Sequence, residues 1–77
     1  MNRQQFLANF VASIDGIDAA ATSLETPLMG IPQWDSLALL TTLAMADAQY
    51  GVQISGLELQ SCQTVGDIAD MVASKMG

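Results

Sequence analysis

Few residues in this 77-residue chain could take part in chemistry, and their types narrow the options quickly. Histidine is absent, so no Ser–His or Cys–His nucleophile pair can form. No imidazole is available as acid, base or metal ligand either. The single cysteine, Cys62, has no base or cation beside it in the sequence and reads as a small buried hydrophobe. Lys75, next to the C-terminus, is badly placed for a desolvated catalytic amine. Asp15 and Asp18 lack the spacing and terminal glutamate of a calcium loop and read as a solvated helix end. No catalytic set and no metal site is therefore expected. Ser36 remains, in the stretch PQWDSLALL from Pro32 to Leu40. Taken alone, Asp-Ser before an apolar run is a capping signal, because either side chain can accept from an amide one turn on.

The rest of the composition bounds what such a serine could serve. One small domain spanning residues 1–77 is expected, with a core that supplies only about 3–5 kcal/mol at this size. A hydrophobic fraction of 51% is too high for disorder. The net charge of −6, from eight carboxylates against Arg3 and Lys75, repels nucleic acid and anionic lipid. It would attract a basic patch on another protein. The longest apolar stretch, Leu37 to Ala46, contains Thr41 and Thr42 and falls far short of the roughly 20 residues a membrane span needs. The opening MNRQQFLANF has no signal-peptide pattern, and a lone cysteine cannot form an intrachain disulfide. A cytoplasmic monomer is the expectation.

The elements that must position Ser36 follow from periodicity and punctuation. Phe6, Leu7, Phe10, Val11 and Ile14 recur at helical spacing, giving a first helix near residues 2 to 14, stopped by Asp15-Gly16. A long loop follows to Asp35, expected to be ordered by Leu24, Leu28, Met29, Ile31 and Trp34. The second helix should start at Asp35 or Ser36 and end near Tyr50, with Gly51 as its stop. Leu37, Leu40, Leu43 and Ala44 mark its core face at 100° per residue, which turns Ala38, Thr41, Met45 and Ala48 towards another, exposed face. Val52 and Ile54 alternate as in a strand, but no partner strand exists, so an extended connector is expected. Residues 57 to 61 suit a short helical turn. Thr64-x-x-Asp67 resembles a capping box, and Val65, Ile68, Ala69, Val72 and Met76 fall on one stripe after it. The fold class is all-α, a small bundle of three to four helices with a long first loop.

The whole order, a long loop, Asp35-Ser36-Leu37 opening a helix, Tyr50-Gly51-Val52-x-Ile54, then Thr64-Val65-Gly66-Asp67-Ile68, resembles the acyl carrier protein family along essentially the full chain. Three residues recur by chance, but the combination is specific. The resemblance implies that Ser36 bears 4′-phosphopantetheine, with Asp35 and Leu37 as its motif neighbours. It implies a carrier rather than an enzyme, loaded from coenzyme A by a separate magnesium-dependent phosphopantetheinyl transferase. The arm would then hold acyl groups as thioesters for acyl-transferring, condensing or acyl-activating enzymes of fatty-acid or polyketide-type synthesis. Physics agrees: a phosphodiester at a helix start is favoured by free amides and the positive end of the helix dipole.

Three departures bear on the partners. Trp34 stands where the family often has small residues, Ala38 and Thr41 stand where fatty-acid carriers place carboxylates, and the short third helix keeps only Glu58. Asp47 is the only carboxylate inside the second helix. The expected partner surface is therefore apolar, built from Leu37, Ala38, Thr41, Met45 and Asp47. The opposing reading makes Met45 core and gives the contact to Glu25 or Glu58. Two alternatives in function also stand: a carrier for aminoacyl or peptidyl groups, and a non-catalytic helical interaction domain in which Ser36 is only a cap.

Overall fold

Asn2 opens the first helix, α1 (Arg3–Ser13), by accepting from the Gln4 and Gln5 amides; the computed structural model describes residues 1–76. Phe6, Phe10 and Ile14 are buried along it, with Leu7 and Val11 packed at the edge. The chain leaves in extended conformation at Ile14 and turns at Gly16, whose φ of 82° suits glycine.

The long loop is ordered by two 3-10 turns, Ala19–Ala21 and Leu28–Gly30. Leu28 and Ile31 are buried, whereas Met29 is 91% exposed. The three-residue period of a 3-10 turn explains this: Leu28 and Ile31 share one side, and Met29 cannot join them. Met29 is thus not one of the expected anchors. The loop is also stitched to the last helix by backbone bonds. Leu28 N–H donates to Gln63 O (2.8 Å), Val65 N–H to Thr26 O (3.2 Å) and Gly66 N–H to Leu24 O (2.7 Å). An isolated antiparallel bridge joins Pro27 and Thr64.

The second helix, α2 (Ser36–Tyr50), ends at Gly51, which is left-handed at φ 64° and donates to Asp47 O. Its facing largely reverses the sequence expectation: Ala44, expected inside, is exposed, and of the expected outer face only Ala48 is fully exposed. Leu37 and Leu40 are 72% and 60% exposed, while Ala38 and Met45 are only 5% and 7% exposed. Leu43 is half-buried at the margin. Apolar residues surround this helix, so period alone selects no face and its neighbours decide. The small side chains of Ala38 and Ala46 permit close approach, and Thr42 is fully buried at no polar cost, because its hydroxyl donates to Ala38 O at 2.9 Å.

After α2, Val52 and Ile54 are buried in an extended connector that forms no strand. The short α3 (Gly56–Gln60) and the last helix, α4 (Val65–Lys75), both begin with full capping boxes, Ser55/Glu58 and Thr64/Asp67. Val65, Ile68, Ala69 and Val72 form the buried stripe of α4. Met76 lies past the helix end and is exposed, so the stripe stops at Val72. Helix α1 packs against α2 and α4, and α3 packs against α2. Both cations are engaged, Arg3 with Asp70 and Lys75 with Glu58 at 2.8 Å. No helix among the described residues is long and apolar enough to cross a membrane. The fold is the small all-α bundle the sequence implies.

Candidate functional site

Asp35 and Ser36 are both competent caps, and the backbone chooses between them. Asp35 is extended (φ −138°, ψ −171°) and its carboxylate accepts from the Ala38 amide at 2.9 Å. Ser36 is therefore the first residue inside the helix rather than the cap. It is exposed, and its hydroxyl makes no hydrogen bond among the described residues. The carbonyl of Asp35 already receives the Leu39 amide, so the helix proper is closed from there on. The amides of Ser36 and Leu37 precede that first bond and point outward from the helix start.

The turn before the site is held from behind. The backbone amide of Trp34 donates to Ile31 O at 3.0 Å, and its ring packs against Phe10 with centroids 6.0 Å apart. The 3-10 turn upstream and the α1 core thus fix the approach to Asp35. Asp35, Ser36 and Leu37 form one exposed corner, with Leu37 projecting outward. Ala38 and Met45, expected on the partner surface, are buried and show little side chain there. Thr41 is half-buried and lines a groove against α1, and Asp47 is exposed near the far end of α2.

Sequence reasoning missed two features. Leu40 joins Leu37 on the outer face; only knowledge of which way α2 turns could have found it. Ser13, Asp15 and Gln33 come alongside Asp35 and Leu37 around a cavity of about 400 Å³. That juxtaposition depends on how α1 meets α2, and no local motif encodes it.

Other reactive groups lie elsewhere. The Cys62 thiol is half-buried, and burial pushes its pKa up, with the negative charge of Asp67 adding to the effect. It is a poor nucleophile. No group of three or more His, Cys, Asp or Glu side chains is placed to hold a metal among the described residues. What the corner offers is an unengaged primary hydroxyl on a helix start whose amides face an incoming anion, with space around it. Those features fit a phosphodiester-linked group.

Comparison with known proteins points the same way. The family model described as "Phosphopantetheine attachment site" matches residues 5–72. An acyl carrier protein of Tropheryma whipplei (strain Twist) is 27% identical over 66 residues, covering 86% of this chain and 80% of the relative. That of Thermotoga maritima is 29% identical over 62 residues, 80% of this chain and 76% of the relative. That of Renibacterium salmoninarum is 29% identical over 68 residues, 88% and 84% of the two chains. No solved structure matches the chain. A match to the attachment-site model over nearly the whole bundle, with these relatives aligned across most of its length, shows that the chain belongs to the acyl carrier protein family.

Proposed function

We propose that Ser36 carries 4′-phosphopantetheine and that the chain presents acyl intermediates to partner enzymes of fatty-acid or polyketide-type synthesis. One observation carries the reading: the Ser36 hydroxyl is exposed and unengaged, because Asp35 does the capping. A serine that served only as a cap would be expected to hold an amide of the first turn, and this one holds none. Asp35 keeps the turn closed, and the Ser36 and Leu37 amides are the donors nearest a phosphate on Ser36. Nothing in the chain activates the hydroxyl. A phosphopantetheinyl transferase would supply the base and magnesium. The Ser36 oxygen–phosphorus bond then forms as the coenzyme A pyrophosphate bond breaks and adenosine bisphosphate leaves. Once attached, the group supplies a thiol that holds acyl cargo as a thioester.

Partner enzymes would meet the outer face of α2, where Leu37 and Leu40 are exposed between Asp35 and Asp47. Such a face favours an apolar contact with limited salt dependence. The decisive experiment is incubation with coenzyme A and a broad-specificity phosphopantetheinyl transferase, read by intact mass. The wild type should gain one phosphopantetheine and Ser36→Ala none. Addition to the alanine variant, or to neither protein, would overturn the assignment.

A further inference from the structure

Two neighbouring residues fasten the turn before Ser36 to the first helix, and they do so at different places. The Gln33 side chain donates its Nε2–H to the carbonyl of Gly16 at 2.9 Å, across 17 positions of sequence. The Trp34 ring packs against Phe10, whose side chain is fully buried. Phe10 lies inside α1, whereas Gly16 lies just past its end.

The Gly16 end of the clamp is shaped for it. Gly16 turns the chain at a φ of 82°, and its carbonyl receives no other hydrogen bond among the described residues. A Cβ built there would sit 3.8 Å from Gln33 Cγ and 3.9 Å from Gln33 Nε2, so the side chain lies directly over the glycine. Only a donor can make this bond, since the partner is a carbonyl oxygen.

A single contact fixes one point of a chain and leaves rotation about it. Two contacts at separated places fix its direction as well. Directly after them, Asp35 must keep its extended backbone to accept from the Ala38 amide, and Ser36 follows. The direction in which the attachment corner leaves the loop is therefore set by Gln33 and Trp34 together. Their energetic parts differ. The Trp34 ring adds apolar packing, whereas the Gln33 bond is exposed and exchanges with water at small net gain. Stability alone gives little reason for it.

We propose that Gln33 is a positioning residue for the modification of Ser36: its bond to Gly16 holds the attachment corner in the orientation that a phosphopantetheinyl transferase engages. The inference rests on the attachment reading above and adds what makes the corner recognisable. Gln33 acts through the turn and not on the reacting atoms. Without the bond the corner samples several orientations, and the apparent affinity of the transferase falls with the competent fraction. Once engaged, the same complex forms, so KM changes and kcat does not.

The test compares wild type with Gln33→Met, which keeps the length and neutrality of the side chain but has no N–H. Loading with coenzyme A and a phosphopantetheinyl transferase is followed by intact mass over a range of carrier concentrations. Gln33→Met should raise KM about fivefold at unchanged kcat, as expected for loss of one hydrogen bond of ordinary net strength. Amide hydrogen exchange in the free protein supplies the second readout. The amides of Trp34 and Ala38, which donate to Ile31 O and to the Asp35 carboxylate, should exchange several-fold faster in the variant. Those in the middle of α4 should be unchanged.

A wild type that is not loaded would overturn the attachment reading and this one together. A loaded wild type with an unchanged KM in Gln33→Met, or a loss confined to kcat, would overturn the positioning role alone. So would a raised KM without faster exchange at Trp34 and Ala38, because Gln33 would then touch the transferase directly. Faster exchange throughout α4 would make the loss one of global stability and would overturn it equally.

Discussion

Helices α2 and α4 are the two walls of this bundle with the clearest starts, and they use those starts in opposite ways. At α4, Thr64 accepts from the Asp67 amide while Asp67 accepts from the amides of Gln63 and Thr64. The helix start is closed, and the loop carbonyl of Leu24 docks onto the next amide, that of Gly66. At α2, Asp35 accepts from the Ala38 amide, and the Ala38 methyl group cannot return the bond. The hydroxyl of Ser36 is left over. A helix start that only has to be stable is closed on both sides, whereas the start that displays a hydroxyl is closed on one side and open on the other. The buried faces differ as well. The apolar residues of α4 form one stripe, but those of α2 extend all round it, and the surplus, Leu37 and Leu40, faces outward beside the open corner.

The largest test of this contrast lies on α2 itself. Met45→Glu should place a carboxylate in the core with no partner, at a cost of about 3–5 kcal/mol. That is comparable with the whole stability of a core this small, so the variant should lose its cooperative thermal transition. Leu40→Glu, on the same helix but outward, should change stability by less than about 0.5 kcal/mol. Equal stabilities measured by urea denaturation would show that α2 faces the other way.

The contrast also marks what the sequence discloses. Gly51 as the end of α2, and Thr64-x-x-Asp67 as the start of α4, were legible because each is a local device with one physical outcome. The family was legible through the combination of motifs around Ser36. Which of Asp35 and Ser36 caps was not, since both side chains can, and only the extended backbone at Asp35 decides. The facing of α2 was hidden for a different reason: Leu37, Leu40 and Leu43 make a stripe as regular as that of Ala38, Thr42, Met45 and Ala46. Packing against α1 and α3 breaks the tie in favour of the smaller side chains. The same holds for Met29, whose neighbours Leu28 and Ile31 take the inward positions of a turn that the residue types do not announce.

The next test concerns the stitch at α4. A Cβ on Gly66 would lie 2.9 Å from the Leu24 carbonyl oxygen and 2.9 Å from Arg3 Nη2. Arg3 can move aside, but the Leu24 carbonyl is backbone and is held by the Gly66 amide itself. Gly66→Ala should therefore cost about 1–3 kcal/mol. Gly56→Ala meets only Leu39 Cδ2 at 4.0 Å, an ordinary contact, and should be nearly neutral. A neutral Gly66→Ala in chemical denaturation would mean that the loop is not pinned where the backbone bonds put it.

Cap deletions should separate the two starts more finely. Thr64→Ala and Asp35→Ala should each cost about 1 kcal/mol, because each releases an amide of the first turn. Ser36→Ala should cost less than about 0.5 kcal/mol, since its hydroxyl holds nothing. Measured melting curves in which Ser36→Ala falls as far as Asp35→Ala would return Ser36 to the role of a cap.

The smallest effect is acid sensitivity, and it belongs to the closed starts. Backbone bonds from Gln63 and Thr64 hold the Asp67 carboxyl below its ordinary range, with the Thr64 hydroxyl and Arg3 adding a little. Glu58 is lowered chiefly by its hydrogen bond with Lys75 and then by the Ser55 amide. A carboxylate whose pKa is depressed on folding contributes stability that is fully present above its unfolded pKa. That contribution is lost as pH falls through the folded value, so the window opens near pH 4 and extends below it. Stability should be flat from about pH 7 to 5 and decline progressively below about pH 4. Asp67→Asn keeps an oxygen that can accept from the same amides but does not titrate. It should be slightly less stable than the wild type at neutral pH and should lose less on acidification, so the two curves converge. Denaturation midpoints measured at matched ionic strength from neutral pH into this acid range give the comparison. Parallel curves for the two proteins would show that the α4 start does not owe its closure to the charge on Asp67.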